Sequence, residues 1–510
     1  MKRYNKANEE IRPDETLNAK AAEARSAAPR RAIALVTAAA LLVGALTATA
    51  VFLSRDPADN LPPVSTDAPV ETNAPADTDV PVEPIAPNTT EQISGAMPLQ
   101  LTKVSHPAQV QYPTDDPFGD SDAFRLWREA AMARRNQPAG YNEGLHEASV
   151  ALMQTLLPAT DATAGQNRVI SPLNIYLALA MLTETTDTTS RAALLKLLGA
   201  DSIEVLRQRV ASTWITNYID DGRLTSRLAA SLWLRDGMTY RTETLEQLAK
   251  YHYAESYSGK MGSPELNKAL QTWLNENTGD LLTEQANGVT LDPQTVMALA
   301  TTIYYKASWG SEFNPNATAD DTFHAAAGDQ TAPFMHRSAV DSYFWGEGFG
   351  AVTRDLGDGR MWLILPDEGV TPDELIAKGD IFTMTNKGWN NSKRLVVNLA
   401  LPKFDVVSDM DLSEGLVKLG LGELFDPARA DFSPITDETD DIAISQAKHA
   451  ARVKIDEEGC EAAAYTVITM ATSAMPPKDE IDFVLDRPFI FIITSQDNAT
   501  LFAGVVETLQ

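Results

Sequence analysis

Between Asp456 and Met475 the chain reads DEEGCEAAAYTVITMATSAM, a group of acids followed by small, uncharged, strand-capable residues, and the run stops at Pro476-Pro477. Read with the two-residue period of a strand, one face carries Cys460, Ala462, Ala464, Thr466, Ile468 and Met470, and the other Glu461, Ala463, Tyr465, Val467 and Thr469. The first face bears no charge and can go into a sheet against a core, its smallest side chains leading. The second tolerates a half-exposed surface. An ordinary edge strand has the same pattern, so the residues alone leave both uses open.

The remaining 490 or so residues limit what this segment can serve. With 44% hydrophobic and 22% charged residues, the 510-residue chain has the make-up of a globular protein with a sizeable core. A formal net charge of -28 argues against a nucleic-acid binder, because phosphate binding is driven by Lys and Arg. Cys460 is the sole cysteine, which rules out an intramolecular disulfide and leaves a Cys-ligated metal site unexpected.

Along the chain, residues 1–31 are polar and end on Arg25, Arg30 and Arg31, directly before an uncharged run from Ala32 to Leu53. That run is long enough for a transmembrane helix, and the arginines would leave residues 1–31 in the cytoplasm. A cleaved signal peptide is the alternative, with Ala48-Thr49-Ala50 as the small-residue cleavage site. On either reading the rest of the chain lies outside the cell membrane, anchored at its outer face or secreted. Residues 54–97 are rich in Pro, Thr, Ala and Asp and read as a disordered, acidic tether. Residues 98–140 form a transition, where Tyr112, Pro113 and Trp127 suggest a segment lying against the main domain of 141–510.

That domain mixes helical and strand patterns without a simple βα period, the mark of an α+β fold. Leu145, Ala148, Leu152 and Leu156 recur at helical spacing. Ser171-Pro172 suits the start of a helix whose body, IYLALAML, is apolar all round and has to be buried. Leu395, Val397, Leu399 and Leu401 alternate as in a strand, and Phe489–Thr494 and Leu501–Val506 read as a buried hairpin.

Several stretches, in this order along the chain, resemble the serpin family. EEGCEAAAYT, from Glu457 to Thr466, is similar to the family's hinge, and FVLDRPFIFII, from Phe483 to Ile493, to its C-terminal signature. VISPLNIYLALAML, TIYYKASWGSEFNP, ILPDEG, LPKF and LFAGVV agree as well, so the resemblance covers about residues 145–510. It implies a fold of three β-sheets and about nine helices with an exposed reactive-centre loop. It also implies a suicide inhibitor of serine proteases, with no catalytic residue, metal or cofactor of its own. A protease cuts the loop and, while still acylated, is carried off as the loop inserts into a five-stranded sheet.

Under that resemblance the hinge comprises Glu457, Glu458, Gly459, Cys460, Glu461, Ala462, Ala463, Ala464 and Thr466, with Cys460 where the family usually has Thr or Ser. Counting fourteen residues on from the hinge glycine puts the reactive bond between Ser473 and Ala474, with Met470, Thr472 or Ala474 in place of Ser473 if the loop length differs. A Ser before the bond, and no Lys or Arg between Gly459 and Met475, imply elastase-like rather than trypsin-like targets. His449 falls at the family's shutter, with Ser171 and Asn174 as expected neighbours and Thr301 in the place of the usual asparagine. Trp309 falls at the breach, where the sheet would begin to open. The partners implied are a serine protease, held covalently, and the membrane through the N-terminal helix, with the inhibitor itself a monomer. The resemblance is also compatible with a non-inhibitory serpin acting as a surface binding module, or a surface adhesin with a serpin-like head. A serine hydrolase is disfavoured by the lack of a Gly-x-Ser-x-Gly elbow.

Overall fold

A computed structural model describes residues 45–55 and 97–509, apart from 115–120, 161–162, 388, 439–441 and 461–476. Its centre is the helix Pro172–Glu184, in which every residue is buried. Ser171 caps it by accepting a hydrogen bond from the Asn174 N–H at 3.3 Å, and Pro172 takes the first helical position, where no amide proton is needed. The helix Leu145–Leu156 packs beside it through Leu145, Ala148, Leu152, Met153 and Leu156, which matches the spacing in the sequence.

Two hydrogen-bonded sheets enclose this core. The first runs Phe404–Asp411, Ile442–Ile455, a central lane, Thr295–Ser308, Thr225–Arg235, Ala254–Gly259 and Leu99–Thr102. Thr225–Arg235 and Ala254–Gly259 are parallel, which requires a crossover, supplied by the helix Thr242–His252. The second sheet contains Ser392–Pro402, Gly328–Gly346, Phe349–Leu356, Gly359–Pro366 and the hairpin Phe489–Thr494 with Thr500–Val506, every residue of which is buried.

Among the described residues there are thus two sheets rather than three, and eleven α-helices rather than about nine. The sheets merge because Gly328–Gly346 is 19 residues long and pairs with Ser392–Pro402 along most of its length and with Phe349–Leu356 at its end. The helix Asp122–Arg135 adds to the count ahead of the main domain, and Ser413–Leu416 is a single turn.

The N-terminal apolar run departs from expectation. Ala45–Arg55 is not the second half of a helix but an antiparallel strand in the central lane of the first sheet, paired on both sides. Thr47, Thr49, Val51 and Phe52 have strand propensity, and a lane with two unpaired edges offers their backbone a complete set of partners. No helix among the described residues is long and apolar enough to cross a membrane. Residues 32–44 lie outside those described.

Candidate functional site: the central lane of the first sheet

The top of the lane is built by the turn after Ile442–Ile455. Asp456 accepts hydrogen bonds from the Glu458 and Gly459 amides at 3.0 and 3.3 Å, and its own N–H donates to the Gly459 carbonyl at 3.1 Å. The turn directs Gly459–Cys460 back into the sheet, where Gly459 pairs with Ser308 and Cys460 with both Ala307 and Ile455. Glycine is needed at position 459. Its φ is +152°, and a β-carbon there would overlap the Ala307 carbonyl oxygen and lie 2.8 Å from Ser308 Cα. Cys460 is fully buried in the main core, a position its small, apolar side chain suits.

Trp309, also buried, fastens this turn from below. Its indole N–H donates to the Asp456 carbonyl at 2.9 Å, and its backbone N–H to the Glu458 carbonyl at 2.9 Å. The Phe313 N–H donates to the Glu457 carbonyl at 3.0 Å. Phe313 stands edge-on to Trp309, and the Arg354 guanidinium lies over both rings, 5.7 Å from one and 5.2 Å from the other. Burial draws the Arg354 pKa down to about 10, so it stays charged at neutral pH. Glu457 is clamped by Lys403 Nζ at 2.6 Å and the Thr318 hydroxyl at 2.7 Å. Burial works against its charge, but these two partners prevail and hold the carboxyl below its usual range. Glu458 goes the other way, raised by burial and then by Asp456, Glu312 and Glu457 nearby.

Halfway down the lane the flanking strands meet the start of the core helix. Ser171 N–H donates to His449 Nε2 at 3.0 Å. Asn174 Nδ2 donates to the Thr301 carbonyl at 3.2 Å, and the Thr301 hydroxyl returns a bond to the Asn174 carbonyl at 3.3 Å. His449 is completely buried, and loss of solvation lowers its pKa to about 3. The imidazole is therefore neutral and offers Nε2 as an acceptor.

The structure thus brings Ser171, Asn174, Thr301 and His449 together, and Trp309, Glu457, Glu458, Gly459 and Cys460 together some distance above them. Glu461, Ala462, Ala463, Ala464, Thr466, Ser473 and Ala474 lie outside the described residues. Sequence reading missed the partners Lys403, Thr318, Phe313 and Arg354. Two of them sit inside the motifs already singled out, Lys403 in LPKF and Phe313 in the stretch around Trp309. Distance along the chain hid their pairing.

Residues 146–508 match the profile described as Serpin (serine protease inhibitor). Serpin-Z2B of Oryza sativa subsp. japonica is 26% identical over 408 residues, which are 72% of this chain and 97% of the relative. Leukocyte elastase inhibitor of Sus scrofa is 29% identical over 357 residues, 68% of this chain and 93% of the relative. Among solved structures, the thermophilic serpin Tengpin in its native state superposes with a TM-score of 0.65 at 22% identity, covering 81% of this chain and all of that one. The chain belongs to the serpin family, whose members are in general inhibitors of serine proteases and not enzymes.

Proposed function

We propose that this chain is an irreversible inhibitor of serine proteases with a small primary pocket, cleaved between Ser473 and Ala474. One observation carries the reading. The hinge already makes the first step of a strand, with Gly459–Cys460 seated between the two flanking strands. In the reaction the protease's serine oxygen attacks the Ser473 carbonyl carbon, an ester forms, and the Ala474 amine leaves with a proton. Insertion of the cut loop down the lane before water reaches that ester leaves the protease acylated and distorted. The name of the pig relative, and Thr472-Ser473-Ala474 in this chain, support an elastase-like target.

The test is incubation with a panel of proteases. An SDS-stable complex should form with elastase-like enzymes and not with trypsin, and the released C-terminal peptide should begin at Ala474. Ala464→Arg should turn the inhibitor into a substrate, because an unpaired charge would have to be buried during insertion. Cleavage without complex by every protease tried would overturn the reading. It would favour the second one, a non-inhibitory serpin serving as a binding module, which the filled central lane also supports.

We also propose that the protein is a monomer exported to the outer side of the membrane, on the strength of Arg30-Arg31 before the apolar run. Confinement of the chain to the cytoplasm would contradict export.

A further inference from the structure

The lane that the hinge begins to fill is held, below Cys460, by a segment from the far end of the chain. Ala45–Arg55 pairs with Thr295–Ser308 in unbroken register from Ala45↔Tyr305 to Leu53↔Met297. On its other side it pairs with Ile442–Ile455, from Leu46↔Arg452 to Phe52↔Gln446 without a shift. Cys460 sits in the same lane just above, opposite Ala307 and Ile455.

Continued down either ladder, the chain after Cys460 would place Ala462 opposite Tyr305 and Ala463 opposite Arg452. Those are the places that Ala45 and Leu46 hold, and both flanking strands give the same register. Ala45 to Leu53 therefore stand where Ala462 to Met470 would stand after insertion. Opposite Tyr305, Ile303, Thr301, Leu299 and Met297, the N-terminal segment reads Ala45, Thr47, Thr49, Val51 and Leu53. The loop reads Ala462, Ala464, Thr466, Ile468 and Met470. Both begin small, place a threonine level with Thr301 and His449, and end in larger aliphatic residues. The intervening positions do not match, Leu46, Ala48, Ala50 and Phe52 against Ala463, Tyr465, Val467 and Thr469. The likeness is thus confined to the positions paired with Tyr305, Ile303, Thr301, Leu299 and Met297.

Connection presents no obstacle. From the lane to the edge strand Leu99–Thr102 there are four strand spacings, about 19 Å. A coil of the length of residues 56–98 reaches on the order of 35 Å.

We infer that Ala45–Arg55 is a built-in competitor for the lane, a strand that blocks loop insertion while in place and has to leave before the chain can trap a protease. The competitor role rests on the inhibitory reading above, whereas occupancy of the lane does not. Occupancy also excludes a membrane span, since residues 32–44 alone would form a helix of about 20 Å, short of a hydrocarbon core of about 30 Å.

Hydrogen exchange with mass spectrometry on the full chain in detergent-free buffer tests occupancy directly. Amides of Ala45–Arg55 should exchange at least about 100-fold more slowly than in the free peptide ALTATAVFLSR. In T49P/V51P, where prolines remove ladder donors, that protection should vanish while Gly359–Pro366 keeps its own. The fraction of chain trapped by an elastase-like protease should then rise several-fold and fall again when the free peptide is added. Free-peptide exchange rates in the unaltered chain would overturn occupancy. Loss of protection with the same trapped fraction in both chains would overturn the competitor role. Complex formation by neither chain, with the exchange results as expected, would refute the inhibitory reading and the competitor role with it, while leaving occupancy established.

Discussion

Protonation of His449 is the perturbation with the most definite consequence. The ring is buried, and its Nε2 accepts from the Ser171 amide, so a proton on Nε2 would set two donors against each other in a site without solvent. Burial holds the folded-state pKa at about 3, against 6.5 for an ordinary histidine. The unfolded chain thus binds a proton that the folded one refuses. This contribution to stability is complete above pH 6.5 and is lost as the pH falls from there toward 3. At 1.36 kcal/mol per unit, the loss between pH 7 and pH 5 is about 2 kcal/mol.

The measurement is the difference in urea midpoint between pH 7 and pH 5 for the unaltered chain and for His449→Gln, whose amide oxygen can take the Ser171 bond but does not titrate. The unaltered chain should lose about 2 kcal/mol more than the variant. Using the difference removes groups that titrate in both chains, such as His106, whose pKa burial also lowers. NMR of the chain labelled at its six histidines supplies an independent value for His449. Equal acid sensitivity in the two chains, or a His449 that titrates near 6.5, would refute the reasoning.

Two further substitutions probe the lane and the core. Gly459→Ala forces a side chain into a backbone conformation and a space that exclude it, and should cost about 1 to 3 kcal/mol. Faster amide exchange at Ala307 and Ser308 than in the unaltered chain would locate that cost at this turn. Glu184 is buried between Arg207, bound through both carboxylate oxygens at 2.8 and 2.7 Å, and His252 at 3.2 Å. Burial opposes its charge, but the bonds from His252 and Arg207 outweigh it and hold the pKa at about 2. Glu184→Gln should destabilise the protein by about 3 kcal/mol in urea titration at pH 7. The contribution from Glu184 should be full above about pH 4.3 and disappear as the pH falls from there toward 2, a loss absent from the variant.

How far the sequence could be read depended on whether a feature was local. The core helix was legible because its cap, its first-turn proline and its uniformly apolar body lie within one stretch, Ser171 to Glu184. The glycine turn into the lane was legible because a glycine after two acids, followed by small residues, is a contiguous pattern. Lys403 and Glu457 are 54 positions apart, and nothing in either neighbourhood pairs them. The run from Ala32 to Leu53 failed for a different reason. Hydropathy marks Ala45 to Leu53 as apolar, but a membrane helix and a sheet strand can both be built from such residues, and only the alternation of Thr47, Thr49 and Val51 hints at the strand.

Thr301 gives the departure from the family pattern a structural meaning. Its hydroxyl and its carbonyl both bond to Asn174, while His449, on the other flanking strand, bonds to Ser171. Each strand is fastened by these bonds to the start of one helix and not, through them, to the other strand. A reciprocal pair to the helix fixes Thr301 at both its backbone and its side chain. The two strands can therefore stand a full strand's width apart, with Thr49 between Thr301 and His449, while every one of these hydrogen bonds stays made. These bonds are all made while the N-terminal strand fills the lane, and the cut loop, inserted in the same register, would leave them made as well. Its insertion is then set by the contest between the two candidate strands, without the added cost of breaking this side-chain network.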